Sequence, residues 1–286
     1  MARARSRSAQ DGHLTLVEQG SQHGRRALVT GASSGIGAAT AKRLAEEGYR
    51  LALLARNAER LEAVCATLPG EGHRVLTCDL TDPQAIAGCA AELEAEFGGL
   101  DLLVNNAGMG YRAKVEELVP ELVRQVYATN VEAVLHTCRA CLPLLRQGDR
   151  PVVVNVASVV GRRGVPGQAV YSSSKAALCS IGEALRIEWA PDGIAVCTLN
   201  PALTATGFFE AQPNPAGLPD PDLSESAAPR DVAQAILELD RDPRPERSLR
   251  WKWWLLGALS VLFPKRSDGL LAKRLGGGWR APHWSR

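Results

Sequence analysis

No apolar run in this 286-residue sequence approaches the roughly 20 residues that a membrane-spanning helix needs. Residues 1–24 lack the apolar stretch of a signal peptide and read as a flexible basic extension. The five histidines (His13, His23, His73, His136, His283) show no metal-ligand spacing, so no metal is assigned. Seven scattered cysteines, an odd number, do not suggest a disulfide framework; a reducing cytoplasm fits them best. Cys138 and Cys141 form a C-x-x-C, but with no second pair and inside a helical pattern they read as packed thiols.

Acidic excess is missing from the ends and basic excess from the middle. Residues 1–26 carry five Arg against two acids, and residues 241–286 carry eleven Lys and Arg against three acids. With a total of +2, residues 27–240 are left at about −9. An acidic central region argues against nucleic-acid binding there. Aromatic residues make up only 5% of the chain, yet five of the six Trp fall beyond residue 250.

What is present is alternation. Strand-like runs at Arg25–Thr30, Arg50–Ala55, Arg74–Cys78, Leu102–Asn105, Val152–Val156 and Ala195–Leu199 alternate with helical patterns. Those helices are expected over Ile36–Gly48, Ala58–Leu68, Asp82–Phe97, Val119–Leu145, Ala169–Trp189 and, last, Arg230–Leu239. Regular β-α-β alternation predicts an α/β fold, a doubly wound parallel sheet with helices on both faces. In such a sheet ligands bind at the carboxyl ends of the strands. Residues 201–228, rich in proline, follow no core pattern and read as a loop over the substrate side.

The chemistry-bearing residues fall at strand ends. Thr30–Gly37 reads T-G-A-S-S-G-I-G between the first strand and the first helix. Gly31 and Gly35 allow the turn, Gly37 lets helix and strand approach, and the helix N-terminus attracts a pyrophosphate. Together with Ser33, Ser34 and Ile36 these residues are the expected dinucleotide-binding turn. Tyr171 and Lys175, four positions apart on one helix, share a face, and Ser158 ends a strand. The second strand ends in Arg56 with no acid, which favours the 2′-phosphate of NADP over the ribose hydroxyl of NAD.

These motifs, with Asp79, the N-N-A-G at Asn105–Gly108, a mid-helix Asn130, Ser158 and Y-x-x-x-K at Tyr171–Lys175, resemble the short-chain dehydrogenase/reductase family in order and spacing over about residues 25–240. The resemblance implies a single Rossmann-type domain, taken as residues 25–248, and a catalytic set of Asn130, Ser158, Tyr171 and Lys175. It implies that Tyr171 exchanges a proton with a carbonyl or alcohol and that Lys175 tunes it and holds the nicotinamide ribose. Ser158 would donate to the substrate oxygen, and Asn130 would hold a relay water. Asp79, Leu80, Asn106 and Gly108 would border the cofactor, with Thr204 and Thr206 near the carboxamide and pyrophosphate. One departure is Pro201-Ala202, where the family commonly has Pro-Gly.

The expected activity is therefore NADP(H)-dependent interconversion of a carbonyl and an alcohol, on a small lipophilic substrate, in a homodimer or homotetramer. The alternative is a non-catalytic dinucleotide-binding sensor or scaffold docked through its tail. The basic, Trp-rich tail, 249–286, contains an eleven-residue apolar run from Trp253 to Phe263. Core or dimer packing, a peripheral membrane contact through 250–266, and a cover for the substrate site all suit it. Leu249–Trp253 also reads as a candidate last strand.

Overall fold

The computed structural model describes residues 24–274 other than 216, 221 and 225, and the side chains of Trp253, Trp254 and Arg274 are outside that description. The expected basic extension thus lies outside the described residues apart from Gly24, as does the end of the tail.

Among the described residues there are seven strands: β1 (Arg26–Thr30), β2 (Arg50–Ala55), β3 (Arg74–Thr77), β4 (Leu102–Asn105), β5 (Val152–Val156), β6 (Ala195–Asn200) and β7 (Glu246–Ser248). They form one sheet in the order β3-β2-β1-β4-β5-β6-β7, with every pairing parallel. The helices are α1 (Gly35–Glu46), α2 (Ala58–Cys65), α3 (Pro83–Phe97), α4 (Pro120–Tyr127), α5 (Ala133–Leu145) and α6 (Ala169–Glu188), then α7 (Phe208–Ala211), α8 (Pro229–Arg241), α9 (Trp251–Leu262) and α10 (Pro264–Arg274).

Both faces of the sheet are covered, which is why its strands read as nearly continuous Val/Leu runs. Successive strand residues point to opposite faces. Leu28, Leu54, Leu103 and Val153 pack with Leu93, Phe97, Leu144 and Leu178 of α3, α5 and α6. Val29, Leu53, Val104 and Val154 pack on the other side with Leu44, Leu61 and Ile236 of α1, α2 and α8. Side-chain caps start two helices: Asn57 accepts from Arg60 N at 2.8 Å, and Asp82 accepts from Gln84 N at 2.9 Å. Arg26 and Asp101 clamp the amino ends of the central strands β1 and β4, through Arg26 N at 2.7 Å and two guanidinium contacts at 3.0 and 2.8 Å.

Two expectations need correction. The helix expected over Val119–Leu145 runs unbroken from Pro120 to Leu145, but it is not α-helical throughout: a π-helical stretch, Ala128–Glu132, joins α4 to α5. Its wider turn accommodates Asn130, whose side chain is bonded to neighbouring elements. The last strand is Glu246–Ser248, and Leu249–Trp253 instead lead into α9, which begins at Trp251. Polar bonds hold the true edge strand: Asn200 Nδ2 donates to Glu246 at 2.6 Å, and Arg162 pairs with the same carboxylate.

Candidate active site

The strand order reverses between β1 and β4, so the chain leaves these neighbouring strands in opposite directions and opens a crevice at their carboxyl ends. The turn from β1 to α1 lines one wall. Gly31 and Gly35 adopt φ of 67° and 55°, where a side chain would be strained. A Cβ on Gly31 would stand 2.9 Å from Ala107 Cα, and one on Gly37 would overlap the carbonyl oxygen of Gly31. Ser34, exposed, is the N-cap of α1 but makes no capping bond with its side chain, and Ser33 and Ile36 are half-buried beside it. Backbone donors at the α1 N-terminus therefore stay uncapped by side chains above a bare glycine surface, a fit for a phosphate-bearing group.

The segment after β4 is tied to that turn. Asn106 Nδ2 donates to Thr30 O at 2.9 Å, and the amides of Asn106 and Ala107 donate to Thr30 Oγ1 at 3.0 and 3.1 Å. Asn105 crosses to β5, donating to Asn155 Oδ1 at 2.9 Å. Thr30 and Asn105 open the two sequence motifs at Thr30–Gly37 and Asn105–Gly108, but the sequence alone assigns neither a role. A hydroxyl and an amide ending buried strands were the signals available.

Arg56 is exposed at the end of β2, and Asp79 follows β3. The Asp79 carboxylate accepts from Thr81 N and Oγ1 at 2.9 and 2.8 Å; these bonds, with the nearby Arg56 charge, hold its pKa below the ordinary value. Leu80 is buried against the core.

Asn130, Ser158, Tyr171 and Lys175 come from three different elements and meet at the ends of β4 and β5. Asn130 is fully buried: its Oδ1 accepts from Met109 N at 2.7 Å, and its Nδ2 donates to Met109 O and Ser174 Oγ, both at 2.9 Å. Gly108 leaves room between neighbours, since a Cβ there would lie 3.3 Å from Asn130 Oδ1 and 3.4 Å from Lys175 Nζ. Lys175 Nζ donates to Val156 O at 2.8 Å and lies 5.9 Å from the centre of the Tyr171 ring. Burial lowers its ammonium to about 8, partly opposed by Cys179. Burial pushes the Tyr171 phenol up to about 12, and a hydrogen bond with Ser158 works against that rise. Ser158 Oγ also accepts from Val160 N at 3.3 Å, starting the 3-10 turn Val159–Gly161.

The proline-rich segment closes over this end of the sheet. Phe208 of α7 stacks at a tilt on Tyr171, ring centres 5.7 Å apart, with Phe209 edge-on to it at 5.6 Å. Arg112 N donates to Pro213 O at 3.0 Å, and its guanidinium holds Asp220 at 3.0 Å. Thr206 accepts from Phe208 N at 3.3 Å, and its methyl would stand 3.3 Å from a Cβ on Gly35, which puts it beside the glycine turn. Thr204 is buried and donates to Ala202 O at 3.1 Å. Phe208 was not anticipated, although two adjacent Phe in a chain with four were a visible signal.

No described group of His, Cys, Asp and Glu could hold a metal. Cys138 and Cys141 are buried free thiols, and burial pushes Cys138 up to about 12.

A family model described as short chain dehydrogenase matches residues 25–216. A 3beta-hydroxysteroid dehydrogenase of Mediterraneibacter gnavus is 38% identical over 186 residues, 64% of this chain and 67% of its own. The 3-ketoacyl-(acyl-carrier-protein) reductase of Brucella melitensis, complexed with NADH, superposes with a TM-score of 0.71 at 28% identity, covering 79% of this chain and 97% of that one. An alcohol dehydrogenase of Thermococcus sibiricus, complexed with 5-hydroxy-NADP, gives a TM-score of 0.70 at 31% identity, with 79% and 96% covered. This chain belongs to the short-chain dehydrogenase/reductase family of dinucleotide-dependent oxidoreductases acting on CH–OH donors.

Proposed function

We propose that this protein is an NADP(H)-dependent oxidoreductase that interconverts a carbonyl and an alcohol on a small lipophilic substrate. The observation that carries the reading is the convergence of Ser158, Tyr171 and Lys175 beside the dinucleotide crevice, with Lys175 Nζ under the Tyr171 ring. When bound, the nicotinamide supplies or accepts the hydride. Tyr171 Oη gives its proton to the substrate oxygen in reduction and takes it in oxidation. Ser158 Oγ donates to that oxygen, where negative charge grows. The Lys175 ammonium, charged below about pH 8, favours the phenolate that proton donation leaves behind. Asn130, bonded to the backbone of Met109 and to Ser174 on the helix that carries Tyr171 and Lys175, positions the loop after β4 against that helix.

Arg56 supports NADP over NAD: an exposed guanidinium ends β2 where an NAD enzyme would place an acid. Phe208 and Phe209 make the wall beside Tyr171 apolar, which suits a lipophilic substrate, as does similarity to a hydroxysteroid dehydrogenase. Exposed Leu135 on α5 and Ile187 on α6 suit pairing of these helices in a homodimer or homotetramer. Seven free cysteines suit a cytoplasmic setting.

The test is an NADPH-oxidation screen over ketosteroids, retinals, 3-oxoacyl thioesters and short aldehydes, run in parallel with NADH. Turnover of at least one lipophilic carbonyl, faster with NADPH, is expected. Tight NADPH binding with no turnover across the panel would favour a non-catalytic sensor instead.

A further inference from the structure

Most of the described large apolar side chains of helix α9 face outward, with Leu256 half-buried. A surface helix ordinarily buries its large apolar side chains and exposes small or polar ones. Among the described residues of α9, the two that are buried are Gly257 and Ser260. Gly257 packs on Arg162, with 3.1 Å between a Cβ placed there and the Arg162 Cβ. Ser260 Oγ turns inward to donate to Gly257 O at 2.7 Å. Trp251, Leu255, Leu259 and Leu262 instead form an exposed stripe at helical spacing, continued by Val261 and Phe263. Trp251, Val261 and Leu262 are 67%, 78% and 71% exposed. Seven of the twelve exposed large apolar side chains of the described residues lie between Trp251 and Leu270, so this is one patch, not scatter.

Charge decides what covers it. Lys252 stands exposed at one end of α9, and Lys265 and Arg266 at the other, with Lys273 further along α10. The one acid of α10, Asp268, is paired with Arg163. A second copy laid on this patch would set cations against cations. A surface of anionic phosphates would complement them. Twelve residues of helix reach about 18 Å, well short of the roughly 30 Å hydrocarbon core, and no described helix is long and apolar enough to cross a membrane.

We propose that α9 and the start of α10 dock this protein on an anionic bilayer, with α9 lying flat in the interface and its apolar stripe among the acyl chains. Because α9 rests on the 3-10 turn Val159–Gly161 that begins at Ser158, docking sets the loop after β5 near the lipid surface. The proposal does not depend on the reaction. Vesicle binding is read without substrate and turnover without vesicles, so the two can fail separately.

The full chain is tested by co-sedimentation with phosphatidylcholine vesicles, alone or mixed with phosphatidylglycerol, at low and high salt. Sedimentation with the mixed vesicles, weaker with neutral ones and released by salt, is expected. Leu259→Asp with Leu262→Asp should lower partitioning at least tenfold. Lys265→Gln and Arg266→Gln should weaken it by roughly fivefold each, and the folded state of every variant is checked by its circular dichroism melt. Failure of the full chain to sediment with anionic vesicles overturns the proposal, and so does unchanged binding by both sets of variants. A mass that doubles in solution and returns to the smaller species in Leu259→Asp/Leu262→Asp, without vesicle binding, would assign the patch to a second copy and equally overturn it.

Discussion

The ammonium of Lys175 lies 2.8 Å from the carbonyl oxygen of Val156, at the end of β5, and 5.9 Å from the centre of the Tyr171 ring one helical turn away on α6. A single backbone acceptor thus fixes a buried cation beneath the phenol proposed to move the proton. Burial lowers Lys175 to about 8 and pushes Tyr171 up to about 12, so at neutral pH the ammonium is charged and the phenol keeps its proton, the pairing that carbonyl reduction requires.

This pair has a pH signature and a stability cost. Carbonyl reduction needs Tyr171 protonated and Lys175 charged, so kcat/KM should fall as pH rises through about 8. The folded state holds the Lys175 proton less tightly than an unfolded chain, whose ordinary value is 10.5. Stability contributed by this group therefore rises with pH between about 8 and 10.5 and is lowest below 8. Lys175→Met should remove a desolvation cost of about 3 kcal/mol, offset by about 1 for the lost hydrogen bond. The variant is expected to melt higher at pH 7, by about 2 kcal/mol in denaturant titration, while losing turnover and the alkaline fall. A less stable Lys175→Met would contradict it.

Arg56 is the proposed reader of the 2′-phosphate. Arg56→Asp should lower kcat/KM for NADPH by about 10- to 100-fold, the worth of a charge-assisted contact, and leave NADH unharmed or improved. Steady-state kinetics with both cofactors checks this, and an unchanged ratio removes Arg56 from that role.

Gly37 has an ordinary backbone but no room. Its Cβ would overlap Gly31 O and stand 2.7 Å from Asn106 Nδ2. Gly37→Ala should cost about 1–3 kcal/mol and, by shifting the turn, weaken dinucleotide binding at least tenfold. Thermal melts and a fluorescence titration with NADPH read the two effects.

Much of this was legible in the sequence, for a physical reason. Buried parallel strands demand continuous apolar runs, and the turn between β1 and α1 demands glycine at Gly31, Gly35 and Gly37, so local chemistry announces both. Tertiary decisions were not legible. Nothing within Ala128–Glu132 marks the change from α- to π-helix; the π-helical turn is tied by Asn130 to Met109 and to Ser174, 44 residues on. Edge strand β7 reads Glu-Arg-Ser and is held by Asn200 and Arg162, so a hydrophobic pattern passes it over in favour of the apolar run that follows. Closure of the proline-rich segment depends on Phe208 meeting Tyr171 and Arg112 meeting Asp220, contacts between distant positions.

Asp101 anchors β4 to β1 at the opposite end of the sheet. Burial pushes its carboxyl up, but hydrogen bonds from the Arg26 side chain and from the amides of Arg26 and Asp149 outweigh burial and hold it below its ordinary value. A carboxylate lowered in this way stabilises the fold above its unfolded pKa, and the contribution is lost as pH falls through the lower folded value. Asp101→Asn should cost about 3 kcal/mol at pH 7, and the gap to the parent should narrow below about pH 4. Urea titrations at both pH values measure it.

The central claim is that Tyr171 is the acid and base of a hydride-transfer site. Its direct test is to measure, on one preparation of Tyr171→Phe, both NADPH affinity by fluorescence and carbonyl-dependent NADPH oxidation. The account predicts affinity within a fewfold of the parent and turnover lower by about 10²–10⁴. Turnover equal to the parent's, with the same affinity, would contradict it.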